Sequence, residues 1–141
     1  MFSKIMAPVD LAHLDGLSRA LECAADLARH YGADLVYVGV TETPPGALGH
    51  NPSEYAARMQ AFAAGQAEAH GIVASAHAMA SHDLWIDLDD ALFKAIDEIG
   101  ADLVVMASHI PKLTDYVWPS NGGKLAGHAK VSVMVVRDSS V

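Results

Sequence analysis

Short apolar runs rich in β-branched and aromatic residues recur along this chain and are typical of buried β-strands. Most of these runs are apolar at successive positions, so both faces of each strand are expected to be covered, as in a parallel sheet between helices. Five strands are predicted in this way, over residues 4–9, 34–40, 72–79, 102–107 and 131–136.

Helical periodicity fills the segments between the strands. Residues 15–31 place their apolar side chains on one stripe of a helix, and the following Gly32 is suited to a left-handed helix end. Asn51 and Pro52 suit the cap and the first position of a second helix, which is predicted to stop at Gly71.

A third helix is predicted to have Asp87 as its cap and to end at Gly100, and a short fourth helix covers residues 120–129. Strands and helices then alternate, which predicts an α/β protein with a doubly wound parallel sheet and right-handed crossovers. Such sheets bind ligands beyond the carboxyl ends of their strands, where the strand order reverses. The candidate site is therefore formed by residues 8–10, residues 40–41, the segment from Ala107 and the turn near Ser120.

Composition and charge narrow the possible partners. The 141 residues suit one domain, and a composition that is 52% hydrophobic and 18% charged predicts a globular fold. The net charge of −8 disfavours binding to nucleic acid or anionic lipid, and no apolar run approaches the roughly 20 residues of a membrane span. Cys23 is the single cysteine and is expected to be a small buried hydrophobe. A single cysteine cannot form an internal disulfide, and no signal-peptide pattern is visible, so a cytoplasmic protein is expected.

Three separated segments resemble the universal stress protein family in order and spacing. Residues 5–10 (IMAPVD), 100–109 (GADLVVMASH) and 128–137 (HAKVSVMVVR) resemble the family's I-L-V-P-V-D, G-A-D-L-I-V-M-G-S-H and H-A-x-C-P-V-L-V-V-R. The resemblance implies one domain over residues 1–141, with a five-stranded sheet of order 3-2-1-4-5 and helices on both faces. It also implies a two-fold homodimer through the last strand, Val131–Val136, whose apolar edge would otherwise be open to pairing.

Many members of this family bind ATP, and the resemblance implies a phosphate loop written G-x-x-G-(nine residues)-G-[ST]. Its glycines leave backbone N–H groups free to approach the phosphates and allow positive φ. In this sequence Ala107, Ile110 and Pro119 stand at the three glycine positions, whereas Ser120 remains. Ile110 disfavours positive φ and Pro119 has no N–H, so the phosphate loop is predicted to be degenerate.

The resemblance also implies which residues would hold an adenine nucleotide. Asp10 would accept a hydrogen bond from the adenine amino group, although a helix cap or turn is an equally good interpretation of an aspartate at this position. Val40 would contact the base through its backbone. Asp10 and Val40 would hold the base, and the phosphates would be held by Ser108, His109, Ser120 and Asn121. The other candidate binding residues are Pro8, Val9, Met106 and Ala107.

Other chemistries find less support in the sequence. Residues 121–124 (NGGK) look like a nucleotide-phosphate loop, but Trp118 occupies the place of its first glycine. His77 and His82 lack the spacing and the third ligand of a metal site, so no metal is predicted. No nucleophile–base pair or carboxylate pair indicates catalysis, so an enzyme is not predicted.

Two functions remain. A dimeric interaction module acting in the stress response is favoured, because the loss of three glycines removes the geometry of the loop rather than one contact. The alternative is a protein that binds an adenine nucleotide, ATP or AMP, through an altered loop. ATP hydrolysis has the least support, because no general base or metal-ligand set is visible.

Overall fold

The computed structural model describes residues 1–42, 52–81, 84–108, 127 and 129–137. Strands and helices alternate along this part of the chain. The strands are β1 (Lys4–Val9), β2 (Asp34–Glu42), β3 (Ala74–Ser81), β4 (Leu103–Ala107) and β5 (Ser132–Val136), and the helices are α1 (Ser18–Tyr31), α2 (Pro52–His70) and α3 (Leu84–Ile99). A 3-10 segment, Leu11–Leu17, precedes α1.

The five strands form one parallel sheet in the order β3-β2-β1-β4-β5, which confirms the predicted fold class and strand order. β1 lies at the centre and pairs with β2 along its whole length. Its consecutive residues Ile5 and Met6 project from opposite faces and are both fully buried. A strand that is apolar on both faces needs cover on both, and this requirement places β1 in the middle of the sheet.

Helices cover both faces of the sheet, as predicted. Tyr37 of β2 packs edge-on against Phe62 of α2, with ring centroids 5.1 Å apart. His77 of β3 lies beside Glu98 of α3, with 3.0 Å between His77 Nε2 and Glu98 Oε2. Tyr37 pairs in register with Ala76, the residue before His77, so Tyr37 and His77 project from opposite faces. α2 and α3 therefore lie on opposite sides of the sheet.

The helices each bury one stripe of apolar side chains against the strands. Ala24 of α1, Met59 of α2 and Leu92 of α3 are fully buried, whereas neighbouring residues on the outer faces are exposed. None of the helices in the described part of the chain is long and apolar enough to cross a membrane.

The start of α1 differs from the prediction. The periodic pattern predicts a helix from residue 15, but α1 begins at Ser18, after the 3-10 segment. His13, with φ −138° and ψ 50°, interrupts regular helical geometry there. The predicted left-handed end at Gly32 is confirmed, with φ 63° and ψ 33°.

The start of α3 was also predicted wrongly. α3 begins at Leu84, so Asp87 lies inside the helix and is not its cap. Aspartate is favourable both at a cap and within the first turn of a helix, where unpaired N–H groups attract negative charge, so the pattern alone does not distinguish the two. Of the predicted fourth helix over residues 120–129, only residues 127 and 129 are described; residue 127 is helical and Ala129 is not.

Strand boundaries depend on cross-strand pairing. β2 continues to Glu42 instead of residue 40, and β3 runs from Ala74 to Ser81 instead of over residues 72–79. The two strands pair without interruption from the Leu35–Ala74 pair to their last residues, so each extends the other. β4 and β5 each begin one residue later than predicted, at Leu103 and Ser132.

Asp102 joins the start of β1 to the start of β4. Its carboxylate accepts hydrogen bonds from Ser3 N at 2.9 Å, Ser3 Oγ at 3.0 Å and Lys4 N at 3.0 Å. Desolvation raises the pKa of Asp102, but the hydrogen bonds from Ser3 and Lys4 outweigh it and hold that pKa below its usual value. This contact fixes the amino ends of the two strands, and the candidate site lies at their other ends.

Candidate functional site

The hydrogen-bonded pairing of β1 with β4 stops before the carboxyl ends of these strands, and this break in the ladder is hereafter called the opening. Pairing of β1 with β4 ends at Met6 and Val104. Beyond that point β1 continues beside β2 as far as Val9, and β4 continues beside β5 as far as Ala107. The opening lies where the strand order reverses, which is the place where sheets of this class bind ligands.

Pro8 explains why the pairing ends there. The C=O of Lys4 faces β4, since it accepts a hydrogen bond from Asp102 N at 2.9 Å. Alternate residues of a parallel strand direct their main-chain groups toward the same neighbour, so Pro8 also faces β4. Proline has no N–H to donate, and the ladder between β1 and β4 cannot continue through it. The opening is therefore specified by one residue of the sequence.

Asp10 lies at the rim of this opening, one residue past β1, and is half-buried. Its Oδ1 accepts a hydrogen bond from Ala12 N at 3.0 Å, and its Oδ2 lies 2.8 Å from His13 Nδ1. Asp10 thus caps the 3-10 segment, which was one of its two predicted roles. Each carboxylate oxygen has a second lone pair, so Asp10 retains the capacity to accept from a ligand. Recognition of a base by Asp10 stays a prediction.

Gly39 and Tyr55 meet in the carboxyl half of β2. Tyr55 lies in the first turns of α2, and its hydroxyl sits so close to Gly39 that a Cβ at this position would overlap it. The same Cβ would lie 2.6 Å from Met59 Sδ. A glycine inside an otherwise apolar strand often marks such a close approach, so Gly39 is the signal in the sequence that points to this contact.

Tyr55 is also electrostatically coupled to the rim of the opening. Burial of its half-buried ring, followed by the nearby charge of Asp10, raises the pKa of Tyr55 to about 12. The hydroxyl forms no hydrogen bond with another residue of the described ranges. The contact pair Asp10–His13 and the contact pair Gly39–Tyr55, which are linked by this electrostatic influence, are hereafter called the rim cluster. Of its four residues, only Asp10 is among the candidates predicted from the sequence.

A profile of the Universal stress protein family matches residues 1–137 of this chain. The chain belongs to the universal stress protein family. This finding confirms the resemblance based on residues 5–10, 100–109 and 128–137.

Solved structures of similar fold include nucleotide complexes. A universal stress protein family member from Burkholderia pseudomallei is 26% identical, with a TM-score of 0.68 and 95% of both chains covered. A universal stress protein from Archaeoglobus fulgidus, solved in complex with dAMP, is 19% identical, with a TM-score of 0.68, 94% of this chain and 96% of that chain covered. One from Arabidopsis thaliana, solved with AMP bound, is 13% identical, with a TM-score of 0.66 and coverages of 98% and 93%. The last two likenesses show a shared fold.

The structure places most of the predicted site residues of this universal stress protein at the carboxyl edge of the sheet. Pro8 and Val9 are buried at the end of β1, and Val40 is half-buried near the end of β2. Met106 and Ala107 are buried at the end of β4, so the Met106 side chain belongs to the core. His109, Ser120 and Asn121 lie outside the described residues.

At the phosphate end of the site, the one backbone N–H group directly after β4 that the structure describes is not free to bind a phosphate. Ser108 N donates to Val136 O at 2.9 Å and is therefore already paired. Ala107 has no positive φ, as is true of all described non-glycine residues, so its Cβ causes no backbone strain. Ile110 and Pro119, the other two substitutions in the loop, lie outside the described residues.

The residues weighed for metal binding and thiol chemistry have structural partners. His77 Nε2 lies close to Glu98 Oε2, but the geometry is not that of a hydrogen bond, and no other described residue pairs with this nitrogen. His82 lies outside the described residues. Burial, followed by the charge of Asp26, raises the pKa of the Cys23 thiol, and its Sγ lies 3.5 Å from Met134 Sδ. A raised pKa lowers the thiolate fraction, which disfavours reactivity.

Replacing Tyr37 with phenylalanine is expected to stabilise the protein by about 1 kcal/mol. The Tyr37 side chain is fully buried, and its hydroxyl has no hydrogen-bond partner among the described residues. Burial raises the pKa of Tyr37 to about 12, so ionisation of this phenol leaves the free energy of unfolding of the wild type unchanged below pH 10 and lowers it as the pH rises from 10 through 12. Urea unfolding at pH 7 and pH 11 measures both effects, and Tyr37→Phe should unfold less readily at each pH. Lower stability of Tyr37→Phe would mean that the hydroxyl is hydrogen-bonded after all.

Proposed function

We propose that this chain is a cytoplasmic stress-response regulator that binds an adenine nucleotide in the opening between β1 and β4. The observation that carries the proposal is that the pairing of these two strands ends before Pro8, with the Asp10 carboxylate at the rim. A carboxylate accepts hydrogen bonds from an exocyclic amino group such as that of adenine. Proteins of the same fold have been solved with dAMP, cAMP and AMP, which supports an adenine nucleotide as the ligand.

A nucleoside monophosphate fits the sequence better than a triphosphate. The loop lacks the glycines whose N–H groups would hold a chain of phosphates, and Ser108 N is already paired with Val136 O. Ser120 and Asn121 remain as candidate contacts for a single phosphate. We therefore favour AMP binding, with no chemical step on the nucleotide, over the interaction module that the sequence alone favours.

Calorimetric titration of nucleotide-stripped protein with AMP and ATP tests the proposal. Saturable micromolar binding of AMP, with ATP at least tenfold weaker, is the expected result. Mass spectrometry of the protein before stripping should identify a co-purifying adenine monophosphate. Absence of binding up to millimolar AMP and ATP would rule out the proposed function.

A second candidate, the dimeric interaction module, is favoured by one observation on β5. This strand forms an edge of the sheet, and its apolar residues Met134 and Val135 are each 39% exposed. An exposed apolar edge strand pairs readily with another strand, and an isologous contact with a second copy would cover it. Pairing through β5 is compatible with nucleotide binding, since the opening lies between β1 and β4.

Val135→Lys is expected to convert the dimer to a monomer. The substitution places a charge on the edge that pairs, and desolvation of that charge opposes association. Val73→Lys is the matched control: Val73 is 68% exposed and lies before β3, at the opposite edge of the sheet. Sedimentation velocity should show a dimer for the wild type and for Val73→Lys, and a monomer for Val135→Lys. An unchanged dimer in Val135→Lys would contradict pairing through β5.

A further inference from the structure

We propose that Tyr55 determines base specificity, by donating its hydroxyl hydrogen to a ring nitrogen of adenine whose amino group is bound by Asp10. The inference rests on the proposed function, and it names the chemistry by which the site distinguishes adenine from other purines. Tyr55 is a residue of α2 in a segment that carries none of the family motifs described above.

The first argument is the position of the hydroxyl. Gly39 lies next to Val40, whose backbone is predicted to contact the base, and it pairs with Val9, the last residue of β1. The Tyr55 hydroxyl lies directly over Gly39, closer than a side chain at that position would allow. The hydroxyl therefore lies on the α2 face of the sheet, over the residue of β2 that pairs with the last residue of β1.

The second argument is that the hydroxyl is uncommitted. It has no hydrogen-bond partner within the described ranges, while the carboxylate of Asp10 is close enough for its charge to influence the ring. With a pKa of about 12, Tyr55 keeps its proton at physiological pH and remains a donor. Asp10 is already paired with Ala12 and His13, so a ligand rather than Tyr55 is the expected partner of its remaining lone pairs.

The third argument is the pairing of a donor with an acceptor. Adenine presents a ring-nitrogen acceptor next to its amino donor, as N1 and N6 do on the Watson–Crick edge of the base. A hydroxyl donor beside a carboxylate acceptor matches that pattern. Hypoxanthine carries a carbonyl oxygen in place of the amino group, and this oxygen would face the Asp10 carboxylate with no hydrogen between them. Its N1 carries a hydrogen, so it cannot accept a hydrogen bond from the Tyr55 hydroxyl. The rim cluster therefore favours adenine over hypoxanthine.

Titration of wild type and Tyr55→Phe with AMP and IMP tests the inference. The wild type should bind AMP at least tenfold more tightly than IMP. Loss of one hydrogen bond in Tyr55→Phe should weaken AMP binding about three- to tenfold and leave IMP binding nearly unchanged. Tyr31→Phe is the matched control, because Tyr31 is a half-buried tyrosine of α1 that packs against Phe2, and it should bind both nucleotides as the wild type does.

The outcomes separate the two proposals. If the wild type binds neither nucleotide, the proposed function fails. If the wild type binds AMP and Tyr55→Phe binds it equally well, only the role of Tyr55 is refuted. Equal weakening of AMP and IMP in Tyr55→Phe would also overturn the inference, since it would indicate a general packing role. A thermal melt of Tyr55→Phe establishes that the compared proteins are folded.

Discussion

Replacing Gly39 with alanine is expected to destabilise the protein by about 1–3 kcal/mol. The added Cβ would overlap the Tyr55 hydroxyl and would lie 2.6 Å from Met59 Sδ, closer than real Cβ atoms approach other atoms. Both overlapping atoms are the ends of side chains, and because Met59 is fully buried these side chains must leave their preferred rotamers to make room. Urea unfolding monitored by circular dichroism measures the change in the free energy of unfolding.

Gly65→Ala provides the matched control for this prediction. Gly65 lies inside α2, and a Cβ there would meet no atom within 4 Å. The same chemical change should therefore stabilise the protein by about 0.5–1 kcal/mol, because alanine is the better helix former. The double variant Gly39→Ala/Tyr55→Phe should recover part of the lost stability, since the overlapping oxygen is gone. Equal stability of Gly39→Ala and wild type would show that α2 does not approach β2 so closely.

Replacing Met59 with alanine is expected to cost about 2–5 kcal/mol of the free energy of unfolding. The Met59 side chain is fully buried between α2 and β2, so its truncation removes apolar contacts and leaves a cavity under the rim cluster. Because Met59 and Tyr55 share one face of α2, one turn apart, the cavity should also loosen Tyr55 and weaken AMP binding.

Met59→Leu serves as the control for the cavity. This swap nearly conserves the volume of the side chain and should cost less than about 1.5 kcal/mol. Both variants can be compared by chemical unfolding and by titration with AMP. A cost below about 1 kcal/mol for Met59→Ala would contradict the tight packing of α2 on β2.

Part of the site could be predicted because it depends on where strands end. Pro8, Val9, Asp10 and Val40 were placed at the carboxyl ends of β1 and β2 from the apolar pattern alone, and the structure has them there. The ends of strands are local features, marked by the residues that follow each apolar run. The roles of these residues toward a ligand stay predictions, to be decided by the titrations described above.

Tyr55 could not be identified from the sequence as part of the site. It is 16 residues from Gly39 along the chain, and the two meet only because α2 packs back across the carboxyl end of β2. The contact between Asp10 and His13 was missed for a related reason. The periodic pattern predicts a regular helix shortly after β1, whereas the non-helical conformation at His13 leaves a 3-10 segment that brings the two side chains together.

The family, the α/β class and the alternation of strands and helices all follow from the sequence. The alternation can be predicted because apolar periodicity and glycine helix ends such as Gly32 depend on residues close together in the chain. The sequence also contains the cause of the opening, since Pro8 cannot donate to β4. The lengths of β2 and β3, the start of α3 and the close approach of Tyr55 to Gly39 are seen only in the tertiary structure. Each of these depends on contacts between distant segments, and neither propensity nor periodicity contains information about such contacts.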